Sequence, residues 1–128
     1  MSIGTEMTNT TGLYAVFDTL TAHYTFDAKG RIVGLHDGGV LPRFVLGRAA
    51  EGCVWRFRSD LDDPLVVSLA RLAGREPGAR FDGELPAPPE RLVALGRLLD
   101  GASPGRGAVL RELVTRAGVT CGELWRFC

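Results

Sequence analysis

Residues 42–61 read PRFVLGRAAEGCVWRFRSDL, and this stretch decides the fold. Its second half alternates between bulky apolar residues and a face that carries two arginines. The apolar residues at alternate positions are Cys53, Trp55 and Phe57. Such alternation is typical of a β-strand with one buried face, because successive side chains point to opposite sides. A shorter alternation over 43–46 predicts a preceding strand, and the glycine-bounded segment 47–52 predicts the turn between them.

Two more strands are predicted upstream of this pair. Residues 23–26 (HYTF) and 31–35 (RIVGL) are rich in β-branched and aromatic residues, and the polar link 27–30 ends in glycine, which together favour a hairpin. All of the links are too short for parallel crossovers. The sequence therefore predicts a four-stranded antiparallel meander that runs from residue 23 to residue 58.

The remaining segments have helical periodicity. Apolar residues recur at helical spacing over 11–21 and over 92–99, and Asp63-Pro64 has the cap-then-proline pattern of a helix start. Ser103-Pro104 repeats that pattern, and residues 109–117 predict a further helix that ends at Gly118. A last short strand is predicted at 124–127. The expected fold class is α+β, with the meander packed against about four helices.

Length and composition fit a single domain. The chain has 128 residues, of which 45% are apolar and 23% charged. Residues 1–11 are polar and rich in threonine, so we expect a disordered tail at 1–11 and one α+β domain at 12–128. Fifteen basic residues balance fifteen acidic ones, which argues against a nucleic-acid partner. With no apolar run of the roughly 20 residues that cross a bilayer, and no signal pattern, we expect a cytoplasmic protein with no membrane partner.

Four arginines in the segment 43–58 form the candidate ligand site. They are Arg43, Arg48, Arg56 and Arg58. Alternation places Arg56 and Arg58 on one strand face, which Arg43 can join from the neighbouring strand, while Arg48 lies in the turn. Guanidinium groups suit carboxylates and phosphates, so we predict a site for a small anion. The structural alternative is a solvated face with aspartate partners in the segment 60–63, and exposed ion pairs of that kind are common.

No catalytic residue, metal site or cofactor is predicted. His23 and His36 lie near the outer ends of the predicted hairpin strands, without a carboxylate or nucleophile at a recognisable spacing. The three cysteines, Cys53, Cys121 and Cys128, show no CxxC spacing, which argues against a zinc site.

Residues 24–31 (YTFDAKGR) and 42–61 together resemble the N-terminal region of bacterial GNAT-family N-acetyltransferases. The likeness covers roughly residues 13–72 and is carried mainly by the string LGR…EG…WRFR. It implies a non-catalytic binding or interaction domain, similar to the accessory region that precedes the acetyl-CoA-binding domain in those enzymes. The implied partner is an acetyltransferase domain, and the arginines add a small anionic ligand as a second possibility.

The alternative is a small acetyl-CoA-dependent N-acetyltransferase of reduced length. The segment 103–110 (SPGRGAVL) contains Gly105 and Gly107, and a glycine loop that opens a helix can hold a pyrophosphate. The GNAT loop, however, is written [QR]-x-x-G-x-[GA] and follows a strand, whereas Ala102 stands at its first position here. We therefore interpret the segment as a capped helix start without a ligand.

Overall fold

The structure is a computed structural model and describes residues 11–36, 39–102, 105 and 107–128. Within these residues the helices are α1 (Thr11–His23), α2 (Asp63–Ala73) and α3 (Leu92–Ala102). The strands are β1 (Tyr24–Phe26), β2 (Ile32–Leu35), β3 (Phe44–Ala49), β4 (Gly52–Phe57), β5 (Val109–Arg116) and β6 (Val119–Phe127). The predicted tail at 1–11 lies outside the described residues, except for Thr11, which begins α1.

A four-stranded antiparallel sheet forms the centre of the fold, with the strand order β4-β3-β6-β5. The class is α+β, as predicted, but the single meander is wrong, because β1 and β2 form a separate antiparallel hairpin. β6 occupies the place beside β3 that the meander gave to β2. Its buried residues Leu124 and Trp125 point to opposite faces, which suits a central strand covered on both sides.

Residues 109–117 form strand β5 and part of the next turn, so the helix predicted there is wrong. Ala117 and Gly118 have φ angles of 53° and 78°, as in a two-residue hairpin turn of the primed type. Of the apolar residues behind the helix prediction, Val114 alone is buried. An amphipathic helix buries its whole apolar stripe, whereas an edge strand does not. The described residues thus contain three helices rather than about four, and the predicted start at Ser103-Pro104 lies outside them.

Both faces of the four-stranded sheet are covered. α1 and the β1–β2 hairpin pack on one face, around a cluster that includes Val16, Ile32 and Leu124. α2 and α3 pack on the other, around a cluster that includes Phe44 and Trp125. The fold therefore has three layers with a separate apolar core on each side of the sheet.

α1 lies close to the sheet because two glycines make room for Val16. A Cβ atom placed on Gly47 or Gly122 would overlap the methyl groups of Val16. This close packing fixes the position of the C-terminal end of α1, where His23 is followed directly by Tyr24 at the start of β1.

The helix start predicted at Asp63-Pro64 is confirmed, with a shift of one residue in its cap. α2 begins at Asp63, and the side chain of Asp62 accepts a hydrogen bond from the backbone N–H of Leu65. In the part of the chain that the structure describes, no helix is both long enough and apolar enough to cross a membrane.

Candidate functional site

The structure distributes the four predicted arginines among different partners. In the register of β3 and β4, Arg48 lies opposite Cys53, and Arg56 lies opposite Val45. Val45 and Arg48 are three residues apart on β3, so their side chains point to opposite faces. Arg48 and Arg56 therefore lie on opposite faces of the sheet. The prediction placed Arg48 in a turn beside the other three arginines, but Arg48 lies within β3, on the face opposite to that of Arg56. The anion-binding role of the set stays a prediction.

Arg48 belongs to a buried cluster with Glu123 and Arg111. The Glu123 side chain is fully buried, and its two oxygens accept hydrogen bonds from Arg48 Nε at 2.6 Å and from Arg111 Nε at 2.8 Å. The same two arginines donate to the backbone carbonyls of Ala87 and Pro86. The cluster thus ties the proline-rich connection before α3 to the middle of the sheet.

Arg43 and Arg58 each have an aspartate partner. Arg43 is almost completely buried and forms an ion pair with Asp100 at 2.9 Å, near the end of α3. Arg58 donates from Nε to Asp60 at 2.7 Å, and this bond lowers the pKa of the Asp60 carboxyl. Asp60 belongs to the segment 60–63 that was expected to supply aspartate partners, so the Arg58 contact fits the structural alternative.

Arg56 lies on the α1 side of the sheet. Its guanidinium group stacks over the ring of Phe17, 5.1 Å from the ring centre, and NH1 donates to the backbone carbonyl of Trp55 at 2.7 Å. Burial lowers the pKa of Arg56, although the group remains charged at neutral pH.

A different polar cluster lines a cavity at the other end of the α1 layer. Six parts of the chain converge on it: α1, β1, β2, the segment before β3, β5 and β6. The cavity has a volume of about 270 Å³. Its lining residues are His23, Tyr24, Leu35, Gly39, Val40, Glu112 and Arg126.

The polar side chains of this cavity form a continuous network. Arg126 donates from Nε to the hydroxyl oxygen of Tyr24 at 2.5 Å and from NH2 to Glu112 Oε1. The second oxygen of Glu112 lies 3.4 Å from Nε2 of His23. Arg126 is therefore held in one orientation by a partner on each side, with Glu112 between it and His23.

Two groups of the network have shifted pKa values. Burial raises the pKa of Tyr24, and the hydrogen bond from Arg126 opposes this rise without cancelling it, so the phenol keeps its proton at neutral pH. For Arg126, burial acts to lower the pKa, but the hydrogen bonds with Glu112 and Tyr24 outweigh it and the pKa is raised. The cavity wall thus carries a permanent cation and a neutral hydroxyl donor.

Two donors of this wall, one on Arg126 and one on Tyr24, are directed to no described acceptor. NH1 of Arg126 donates to none of the described side chains or carbonyls, and the hydroxyl proton of Tyr24 has no acceptor among them. Leu35 and Val40 supply an apolar wall, and Val40 is 42% exposed. Donors beside an apolar wall can bind a small molecule that has hydrogen-bond acceptors at one end and a short hydrocarbon part at the other.

Sequence reasoning named His23 but missed Tyr24, Glu112 and Arg126. Glu112 lay inside the segment predicted as a helix, and Arg126 lay in a short strand with no predicted neighbour. The nearest signal was the charge at each of these two positions, which does not reveal that the strands are adjacent. His36 lies outside the cavity, and its Nδ1 is 2.8 Å from the backbone carbonyl of Ala22.

The glycine segment before β5 does not open a helix. β5 begins at Val109, so Gly105 and Gly107 lead into a strand, and the capped-helix interpretation is wrong. A Cβ atom on Gly105 would overlap the guanidinium group of Arg43, so glycine at 105 is explained by packing. A pyrophosphate cradle of the kind that acetyl-CoA enzymes use would lack its helix N-terminus here.

Cys53, Cys121 and Cys128 are free thiols. Burial raises the pKa of Cys53 to about 11, and Cys128 is buried at the end of the chain. In the described ranges no three residues of the types His, Cys, Asp and Glu are grouped so that they could hold a metal ion.

In comparisons with protein families, with curated proteins and with solved structures, this chain matched no family model, no curated sequence and no structure. The resemblance to the GNAT accessory region therefore stays a prediction.

Proposed function

We propose that this chain is a non-catalytic binding domain and that it binds a small carboxylate at Arg126. The observation that carries the proposal is the orientation of the guanidinium group, which Tyr24 and Glu112 hold at the cavity wall while NH1 contacts no described acceptor. Because Nε and NH2 already donate to Tyr24 and Glu112, NH1 is the nitrogen left for a ligand, and a carboxylate oxygen can accept a charged hydrogen bond from it. The Tyr24 hydroxyl is a further donor to the same ligand.

The cavity also limits the size of the ligand. A volume of about 270 Å³ is at the small end of known ligand sites. Leu35 and Val40 favour a ligand whose carboxylate is attached to a short hydrocarbon chain.

The resemblance to the GNAT accessory region suggests which macromolecule this chain binds. If the chain is an accessory domain of the GNAT type, its macromolecular partner is an acetyltransferase domain, and the small carboxylate is a ligand of the accessory domain itself. The acetyl-CoA-dependent alternative depended on a glycine turn that opens a helix, and a strand follows that turn instead.

Titration with acetate, propionate and butyrate, followed by backbone amide shifts, tests the proposal. We expect saturable shifts centred on Tyr24, Leu35 and Arg126, with dissociation constants in the millimolar range. Each added methylene should tighten binding by up to about fourfold, because it is buried against the apolar wall. Arg126→Gln should weaken binding by about tenfold or more, since charged hydrogen bonds are lost.

Arg116→Gln is the matched control for this titration. Arg116 also lies on the sheet, at the end of β5, but it pairs with Asp18 at 3.0 Å and does not line the cavity. Its replacement should leave carboxylate binding unchanged. Equal affinity in wild type and Arg126→Gln would contradict the proposal, and shifts centred on Arg56 and Arg58 would favour the four-arginine site instead.

A further inference from the structure

An open apolar groove lies between α2 and α3, in the layer on the other side of the sheet from the Arg126 cavity. It has a volume of about 750 Å³. Leu72, Val93 and Leu98 contribute to its apolar surface, and Val93 is 63% exposed. The exposed surface of Val93 adjoins Leu72 and Leu98 in the same groove, so these residues form one apolar patch rather than scattered positions.

The rim of the groove carries an excess of positive charge. Arg71 of α2 and Arg97 of α3 line it, and neither side chain makes an ion pair or hydrogen bond with another described residue. Glu90, the acidic residue on the rim, lies 3.9 Å from Arg91, which offsets its charge. An apolar floor between two unpaired arginines is complementary to an apolar surface that has carboxylates on its flanks.

We propose that this groove binds an amphipathic helix of another protein, one that carries glutamate or aspartate beside its apolar stripe. α2 and α3 have eleven residues each, so the groove is about 16 Å long and takes roughly three turns of a helix. Apolar side chains at positions i, i+4 and i+7 of the partner lie over Val93 and its neighbours. Acidic side chains next to them pair with Arg71 and Arg97.

The test uses two designed helical peptides of about fourteen residues, cross-linked to hold the helix, with identical leucine stripes. One carries glutamates beside the stripe and the other carries lysines. Fluorescence anisotropy should show that the acidic peptide binds at micromolar concentrations and that the basic peptide binds at least about tenfold more weakly. Amide shifts should map the bound peptide to α2 and α3.

Variants of the protein complete the test. Arg71→Gln/Arg97→Gln should weaken the acidic peptide by about fivefold, and Val93→Glu by more than about tenfold. Arg80→Gln, in the long connection and outside the groove, should have no effect.

Three outcomes would overturn the proposal. They are equal binding of the two peptides, binding that maps to the edge of β5, and self-association in sedimentation experiments in which a second copy of this chain covers the groove. Carboxylate binding at Arg126 is measured in a separate titration, so a negative result for one of the two proposed sites does not affect the other.

Discussion

Replacing Glu123 with alanine is expected to destabilise the fold by about 3–5 kcal/mol. The substitution leaves Arg48, which is 5% exposed, as a buried cation without its carboxylate partner. It also removes the acceptor of Arg111 and so weakens the attachment of the proline-rich connection at residues 86 and 87. Urea denaturation followed by circular dichroism measures the loss, with Glu90→Ala as the exposed control.

A second variant separates the charge effect from the loss of packing. In Arg48→Met/Arg111→Met/Glu123→Leu the whole cluster is replaced by apolar residues of similar volume, so no uncompensated charge is left. This triple variant should be more stable than Glu123→Ala, despite carrying more changes. If the triple variant were the less stable of the two, buried charge would not be the cause of the loss in Glu123→Ala.

Phe44→Ala is expected to cost about 3–5 kcal/mol of the free energy of unfolding. Phe44 is fully buried on β3, and its ring lies 5.3 Å from that of Phe57 and 5.4 Å from that of Phe127. Truncation leaves a cavity between three strands that the rigid rings cannot easily fill. The loss is a large fraction of the 5–15 kcal/mol that stabilises an ordinary domain.

Phe17→Ala is the matched control for Phe44→Ala. Phe17 is 42% exposed and its ring stacks with the guanidinium group of Arg56, so we expect a loss of about 1 kcal/mol. Urea denaturation of both variants gives the comparison. A cost for Phe44→Ala no greater than that for Phe17→Ala would contradict the central position of β3 in the core.

Local sequence patterns were sufficient for the elements whose signals are local. The alternation around Trp55 predicted the β3–β4 pair, and Asp63-Pro64 predicted the start of α2. The Trp55 side chain faces the helix layer as expected, although it is only partly buried, and Trp125 is the more deeply buried tryptophan. Periodicity reports which face of an element is buried, but not how deeply a given residue lies.

The C-terminal hairpin could not be predicted in this way. Leu110, Leu113 and Val114 have helical spacing, yet in an edge strand most of them remain exposed, so the same pattern fits two structures. Glu123 is a charged residue within β6, so the sequence did not indicate that β6 is a buried central strand. Its burial depends on arginines 75 and 12 residues away in the sequence, which a local pattern does not show. The Arg126 cavity was missed for the same reason, since its residues meet only through the sheet order.

The position of β6 between β3 and β5 is the feature on which the Arg126 site depends, because it brings Arg126 beside Glu112. Cross-strand nuclear Overhauser effects between backbone protons test this order most directly. We expect them between Leu46 and Trp125, which are paired across β3 and β6, and between Glu112 and Leu124, which are paired across β5 and β6. Cross-strand effects between β2 and β3, with none between β3 and β6, would contradict the sheet order and with it the proposed site.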